Sequence, residues 1–448
     1  MKTKSEDCNF PLRLLMAFMA NVETGQTGKD QKGHEEHAKA TLDKVWNTSQ
    51  FPALKAMLNN YEIVMDPVVY SSSLIDGGIA RNTTFIMYNK ISYELVICVA
   101  GTNMIDAFDW FTEDFDTENL VPWTPSIVVN GANNTGVATN GSVSAGTATA
   151  LKDTWNTKGK KSGKSPIEWL YKFLQDSNKV SSIVVSGHSL GGAISPALAM
   201  ALHDNQAAWN PNSLDLPITT SIFAGPTPGD SIWINYVSTH LYVCSTYNTS
   251  DVVPHAWELL MMSQIPKLYE NIVGGNGEIP ASPPEAATHL NDGKIVYWMV
   301  EWLTSNSEAI SPNKYVRWSE DVPFDNGAAA PPDLYNKTTT KAGDLMYLLS
   351  PEARKHAGEI CLFRTDQKPG EATNAQLIPY FRYFLEYLTL LGLNHIQQYS
   401  SEFFSSDVIK EFHDLMPGLN AGDIAPAIHI LDELLANIAA YRVKHYKE

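Results

Sequence analysis

Residues 183–203 read IVVSGHSLGGAISPALAMALH. Ile183, Val184 and Val185 are β-branched and suit a short buried strand. Residues 186–192 carry three glycines in a turn, and residues 193–203 have the composition of a buried helix. Inside the turn, Gly187, His188, Ser189, Leu190 and Gly191 form a G-x-S-x-G pattern. Strand, G-x-S-x-G turn and helix in direct succession describe a nucleophile elbow, a strained turn that leaves a serine hydroxyl exposed above a sheet. Glycine at 187 and 191 leaves room for that turn, and Gly192 lets the helix approach the sheet. Ser189 then sits at the positive end of a helix dipole. The plainer alternative is a serine capping an ordinary helix. Pro196 removes one helical hydrogen bond and predicts a bent or restarted helix.

Working outward, residues 62–65, 84–88, 95–99, 220–224 and 241–244 read as strands, and residues 166–178 as a helix. Strands alternating with helices predict an α/β fold, a mostly parallel central sheet covered by helices. Residues 124–148 are rich in Gly, Asn, Ser and Thr, and their two Asn-Gly pairs, Asn130-Gly131 and Asn140-Gly141, predict hairpin turns. Residues 33–46 predict a helix. His34 and His37, three apart, miss the zinc-protease spacing and read as an exposed helix start. Residues 300–380 read as an irregular insertion followed by helices. Ile424, Ile428, Leu431, Leu435 and Ile438 form one apolar helical stripe near the C-terminus. The expected organisation is an N-terminal helical segment packed on the body (1–60), a catalytic domain (61–406) and a C-terminal helical extension (407–448).

The chain has 448 residues, 44% of them hydrophobic and 18% charged, enough for a sizeable core. With 32 Lys and Arg against 49 Asp and Glu, the net charge is −17. Such a chain is a poor partner for nucleic acid, whose binding rests on cationic side chains releasing counterions, and for anionic lipid. No apolar run reaches the ~18 residues of a membrane span. The four cysteines are too dispersed for a disulfide scaffold, and Cys98 and Cys244, within strand-like runs, are expected to be small buried hydrophobes. The start, MKTKSEDCN, carries two acids, and the apolar stretch 14–20 lacks a small-residue cleavage site. The expectation is a cytoplasmic protein, with secretion the alternative for a trimmed N-terminus.

A serine nucleophile needs a general base, and the base a carboxylate, in chain order Ser, acid, His for this elbow type. Asp251 follows the strand-like run 241–244 in a turn-rich loop, where the acid belongs. Asp230 fits an earlier turn and reads as structural, and His255 as a loop contact. Downstream lie His255, His289, His356, His395, His413, His429 and His445, with His395 directly after an apolar helical run at 380–393. Leu190 follows the nucleophile and offers its backbone N–H to an oxyanion hole.

VVSGHSLGGAISPALA resembles the nucleophile segment of the class 3 (fungal-type) lipase family. In the same order, VICVAGTN (96–103) resembles that family's oxyanion strand, DWFTED (109–114) its lid and SAGTATALKDTW (144–155) the lead into the helix before the elbow. FAGPTPGDSIWINYV (223–237) resembles its Gly-x-Pro-x-x-Gly-Asp stretch and YNTSDVVPH (247–255) its acid-bearing turn. The likeness covers residues 60–300 well, the last third loosely and residues 1–45 hardly at all. It implies an α/β-hydrolase fold, Asp251 as triad acid and Thr102 as second oxyanion donor. GLNHIQQY (392–399) resembles the family's late histidine followed by an aromatic, which makes His395 the favoured base. Two departures accompany it: a 144-residue gap from Asp251, and Tyr399 one place later than the usual aromatic. His289 remains the competitor.

Between residues 103 and 121, Met104, Phe108, Phe111 and Phe115 share a helical face beside Trp110, and six acids occupy much of the rest. This is a surface helix packed by its aromatic face or, directly after the oxyanion turn, a lid. The reading that results is a carboxylic ester hydrolase, foremost a triacylglycerol lipase. Its alternatives are a short-chain or feruloyl-type esterase, a phospholipase A1 and, more distantly, a non-catalytic lipase-like binding protein. The partners are a neutral lipid or ester and a lipid–water interface, and neither a metal nor an organic cofactor is called for.

Overall fold

The computed structural model describes residues 8–24, 26–73, 78–101, 119–129, 132–135, 141–176, 179–212, 215–265, 268, 315–326 and 392–419. Its strands in chain order are β1 (Tyr61–Ser71), β2 (Ala80–Asn89), β3 (Glu94–Val99), β4 (Leu120–Pro122), β5 (Ser126–Val129) and β6 (Ala132–Thr135). There follow β7 (Ser142–Ser144), β8 (Ser182–His188), β9 (Ile218–Phe223), β10 (Tyr242–Asn248) and β11 (Asp321–Phe324). The helices used below are α1 (Phe10–Ala20), α2 (Gln31–Asn47), α3 (Pro52–Met57), α4 (Ala145–Asn156), α5 (Pro166–Asp176), α6 (Leu190–Asp204), α7 (Ser231–His240), α8 (Gln398–Phe403) and α9 (Ser406–Leu415).

Seven strands form one sheet in the order β1-β2-β3-β8-β9-β10-β11. β1 with β2 and β2 with β3 are antiparallel, because short connections return the chain beside itself. From β3 to β11 every pairing is parallel, and the crossovers carry α4, α5, α6 and α7. This is the mostly parallel, helix-covered sheet of an α/β hydrolase.

The pleat divides the core in two. Leu95, Ile97, Val99, Ile183 and Val185 face one side, where they meet α4, α5 and α6. Val96, Cys98 and Val184 face the other, together with Phe85 and Met87 from β2. That second face is covered by chain from both ends. Leu14 to Ala20 of α1 are fully buried, and Val408, Phe412 and Leu415 of α9 pack into the same cluster. Glu411 of α9 also accepts hydrogen bonds from Ala53 N and Leu54 N, the open amides at the start of α3. Thus α9, placed in an extension by sequence, is part of the layer that seals the sheet. The stripe from Ile424 to Ile438 lies outside the described residues.

Several expectations need correction. Part of the 300–380 insertion is regular: β11 is the seventh strand, with Val322 and Phe324 against the second core. Among the described residues β11 is the last strand of the sheet, where the missing N–H of Pro323 is tolerated. Helix α6 is not restarted at Pro196: it continues from Leu190 to Asp204 with Leu190 to Leu202 all buried, so packing offsets the lost hydrogen bond. His34 is not exposed: its Nδ1 lies 2.7 Å from Glu23 Oε2 and its Nε2 2.9 Å from Gly78 O, and His37 Nδ1 meets Glu23 Oε1 at 2.6 Å. The buried Glu23 carboxylate needs donor partners, and it draws the His34 ring inside while His37 reaches it from a partly exposed position. β5 and β6 flank Asn130-Gly131 as a hairpin. β7, after the second Asn-Gly pair, instead joins β4. That ribbon contains Leu120 and Val121, the last two residues of the expected lid region, and residues 103–118 of that region lie outside the described residues.

Cys98 is buried and free, as expected, but Cys244 is disulfide-bonded to Cys8. The bridge ties the residues before α1 to β10 across a sequence separation of 236. Dispersion along the chain hid a pair that only the packing of α1 brings together. Replacing both cysteines by serine is expected to lower unfolding stability by about 2–5 kcal/mol, since a long loop loses its constraint. Denaturant unfolding of Cys8→Ser/Cys244→Ser beside the oxidised wild type measures it.

Candidate active site

The elbow forms where β8 ends and α6 begins. Ser189 sits between them at φ 61 and ψ −128, a conformation costly for a non-glycine residue. It is held from both sides: Ser189 N donates to Phe223 O of β9 at 2.9 Å, and Gly192 N donates to Ser189 O at 2.8 Å. A Cβ on Gly187 would lie 2.0 Å from Gly191 O, and one on Gly191 would lie 2.4 Å from Val99 O. The turn is therefore closed to side chains by the backbone of α6 and of the end of β3. Leu190 is the first residue of α6, where helix amides have no intrahelical acceptor.

Asp251 follows β10 and is fully buried. Its Oδ1 accepts from Val253 N at 3.0 Å, and its Oδ2 lies 2.8 Å from His395 Nδ1 and accepts from Tyr399 OH at 3.1 Å. The 144-residue gap is thus closed in space. His395 lies in a π-helical turn, Leu393–Gln397, that leads into α8. A π turn absorbs one additional residue, which accounts for Tyr399 arriving one place late yet on the same face as His395. His395 Nε2 is buried and without a hydrogen-bond partner among the described residues.

The residue before the nucleophile grips the histidine's backbone. His188 Nε2 donates to His395 O at 2.8 Å, and the two rings sit 4.4 Å apart. Burial, and then the neighbouring His395, push His188 well below the ordinary histidine value, so its ring stays neutral. Burial and the Asp251 charge hold the Tyr399 phenol well above its ordinary value, which keeps it a donor. Asn248 N–H in turn donates to Tyr399 OH at 2.9 Å. The sequence carried one hint of this contact, an aromatic one helical turn after the histidine. Tyr399→Phe should lower kcat roughly 10-fold with KM little changed, because a donor to a buried carboxylate is lost. Steady-state kinetics on a soluble ester tests it.

Two polar residues set aside by sequence have structural contacts. Asp230 caps α7, accepting from Trp233 N at 2.8 Å and from Ser142 N at 2.9 Å. His255 donates from Nδ1 to Asp251 O at 2.6 Å, supporting the acid's loop, and burial depresses its pKa. Thr102, the competitor His289 and the lid residues Met104, Phe108, Trp110, Phe111 and Phe115 lie outside the described residues. Among the described residues, no group of three or more His, Cys, Asp or Glu could hold a metal ion, and no helix is long and apolar enough to cross a membrane.

A family model described as Lipase (class 3) matches residues 96–260. A comparison with curated proteins finds no match. Among solved structures, the crystal structure of M37 lipase aligns over 97% of this chain and 99% of its own, at 20% identity and a TM-score of 0.56. Lipase II from Rhizopus niveus aligns over 58% of this chain and 78% of its own, at 16% identity and a TM-score of 0.38. The M37 likeness shows a shared fold. β3 from Val96 onward, the Ser189 elbow, β9, β10 and the Asp251 loop fall inside the matched residues. Residues 96–260 thus carry the likeness to the class 3 lipase family, on a chain whose fold is that of an α/β hydrolase.

Proposed function

We propose that the protein is a serine-dependent carboxylic ester hydrolase, and specifically a triacylglycerol lipase. The observation that carries this reading is the buried Asp251–His395 pair, 2.8 Å apart, with His395 Nε2 unpartnered among the described residues and the His395 backbone held by the neighbour of Ser189. In the proposed reaction Ser189 Oγ attacks the ester carbonyl and its proton passes to His395 Nε2. Asp251 holds the Nδ1–H tautomer and balances the imidazolium that forms. The oxyanion is received by the N–H of Leu190 and by Thr102. His395 then protonates the departing alcohol, and a water activated by the same nitrogen releases the acid from Ser189.

The lid proposal follows from charge as well as pattern. A lid that laid the aromatic residues of 104–115 over the cleft, with six acids and no Lys or Arg, would suit an uncharged ester droplet better than an anionic membrane. The Cys8–Cys244 bridge supports maturation in an oxidising compartment, in place of the cytoplasmic expectation.

Initial rates on p-nitrophenyl esters from acetate to palmitate, with emulsified triacylglycerol alongside, test the reading. Long acyl chains and the emulsion are expected to be the better substrates. A short-chain optimum would keep the chemistry and reassign the substrate to soluble esters. Absence of turnover at every length would favour a binding protein built on this fold.

A further inference from the structure

The strand end that faces Ser189 is held by a residue far outside the family match. Gly101, just beyond β3, lies so close to the elbow that a Cβ there would fall 2.8 Å from His188 O and 2.9 Å from Ser189 Cβ. Its backbone N–H donates not to the sheet but to Asn21 Oδ1, at 2.7 Å. Asn21 is buried at the C-terminal end of α1, and its Nδ2 donates to Ala17 O at 3.2 Å. Both ends of the side-chain amide are therefore engaged, which fixes its rotamer and its oxygen's direction.

The seat of Asn21 is itself fixed. It opens the short 3-10 turn Asn21–Glu23, and Glu23 is locked by His34 and His37 of α2. At the other end of α1, the Cys8–Cys244 bridge anchors the chain to β10. Midway, Arg13 O accepts from Ser186 Oγ of β8, two residues before His188. The segment is thus braced on β8 and β10, and Asn21 is its contact with the end of β3.

Resting on the ester-hydrolase reading above, we propose that Asn21 is a positioning residue for catalysis. It acts through the Ala100–Gly101 peptide, setting the spacing between the end of β3 and the nucleophile elbow. Gly101 directly precedes Thr102, the proposed oxyanion donor. Donors of this kind must be held to within about 0.5 Å to stabilise a developing charge. A loosened strand end would spare substrate binding and weaken the transition state.

Kinetics on p-nitrophenyl butyrate, with inhibition by an alkyl trifluoromethyl ketone, tests this. Asn21→Ala is expected to lower kcat about 10- to 100-fold, as a small misplacement does, with KM within about twofold. Affinity for the ketone, which forms an oxyanion on Ser189, should fall by the same factor. Asn21→Asp keeps an oxygen for Gly101 N–H in either protonation state and should recover most of the rate. Leu14→Ala, a buried change in the same helix, should lower the unfolding temperature without this kinetic signature. If Asn21→Ala does not fold, the size-matched Asn21→Leu takes its place, and failure of both to fold overturns the proposal in favour of a purely structural role. Unchanged kcat and ketone affinity in a folded variant, or equal losses in the alanine and aspartate variants, also overturn it. Wild-type Ser189 labelled by a fluorophosphonate in those cases leaves the ester-hydrolase reading standing. An unlabelled wild type removes both.

Discussion

Ser189→Ala is expected to lower kcat on p-nitrophenyl esters by about five to six decades, and His395→Ala by a similar factor. The double variant should be no worse than either single one, because nucleophile and base act as one unit and each is idle without the other. Asp251→Asn should cost about four decades, since an amide beside Nδ1 favours the wrong tautomer while leaving the geometry in place. KM should move little in all of them. Burst and steady-state kinetics on one ester, with active-site titration of the wild type, measure these factors. If His395→Ala retained activity while Ser189→Ala lost it, the base would lie elsewhere, and His289 would be the next residue to replace.

The second large effect concerns the fold. Gly187→Ala is expected to destabilise by more than about 4 kcal/mol or to prevent folding, because its methyl would sit 2.0 Å from Gly191 O. Gly191→Ala should behave alike, with Val99 O at 2.4 Å. Neither obstacle is a side chain that can rotate away; relief requires moving β8, α6 or β3. Gly28→Ala is the control: its φ is +74 but nothing lies within 4 Å, so only left-handed strain of about 1–2 kcal/mol is expected. Thermal unfolding of the three variants separates collision from strain.

Much of this architecture is legible locally. The elbow is contained in about twenty consecutive residues whose strand, turn and helix preferences agree with one another. The strand runs at 95–99 and 183–185 lie inside observed strands, and 220–224 overruns its strand by one residue, because β-branched residues between turn residues have few other ways to bury themselves. Asp251 is legible for a similar reason, as a carboxylate in a short loop after a strand. Pro196 shows the limit of local preference: a buried helix continues past it against a cost of about 3 kcal/mol. His34 shows the same limit for polar residues, since its partner Glu23 belongs to another element.

What required the tertiary structure is whatever depends on chain segments far apart in sequence. The Cys8–Cys244 bridge, β11 beside β10, the Asp251–His395 contact and the Asn21–Gly101 clamp join residues 76 to 236 positions apart. No periodicity or spacing encodes such pairs; they exist because one sheet has two faces to cover and the chain's ends cover the second. By itself, the sequence determined the strand–elbow–helix unit, the alternation that builds a mostly parallel sheet, and the chemical types at the site. The fold alone decided which histidine meets the acid, which cysteines bond and what braces the strand facing Ser189, because hydrophobic periodicity records which way a side chain faces and not which distant residue it meets.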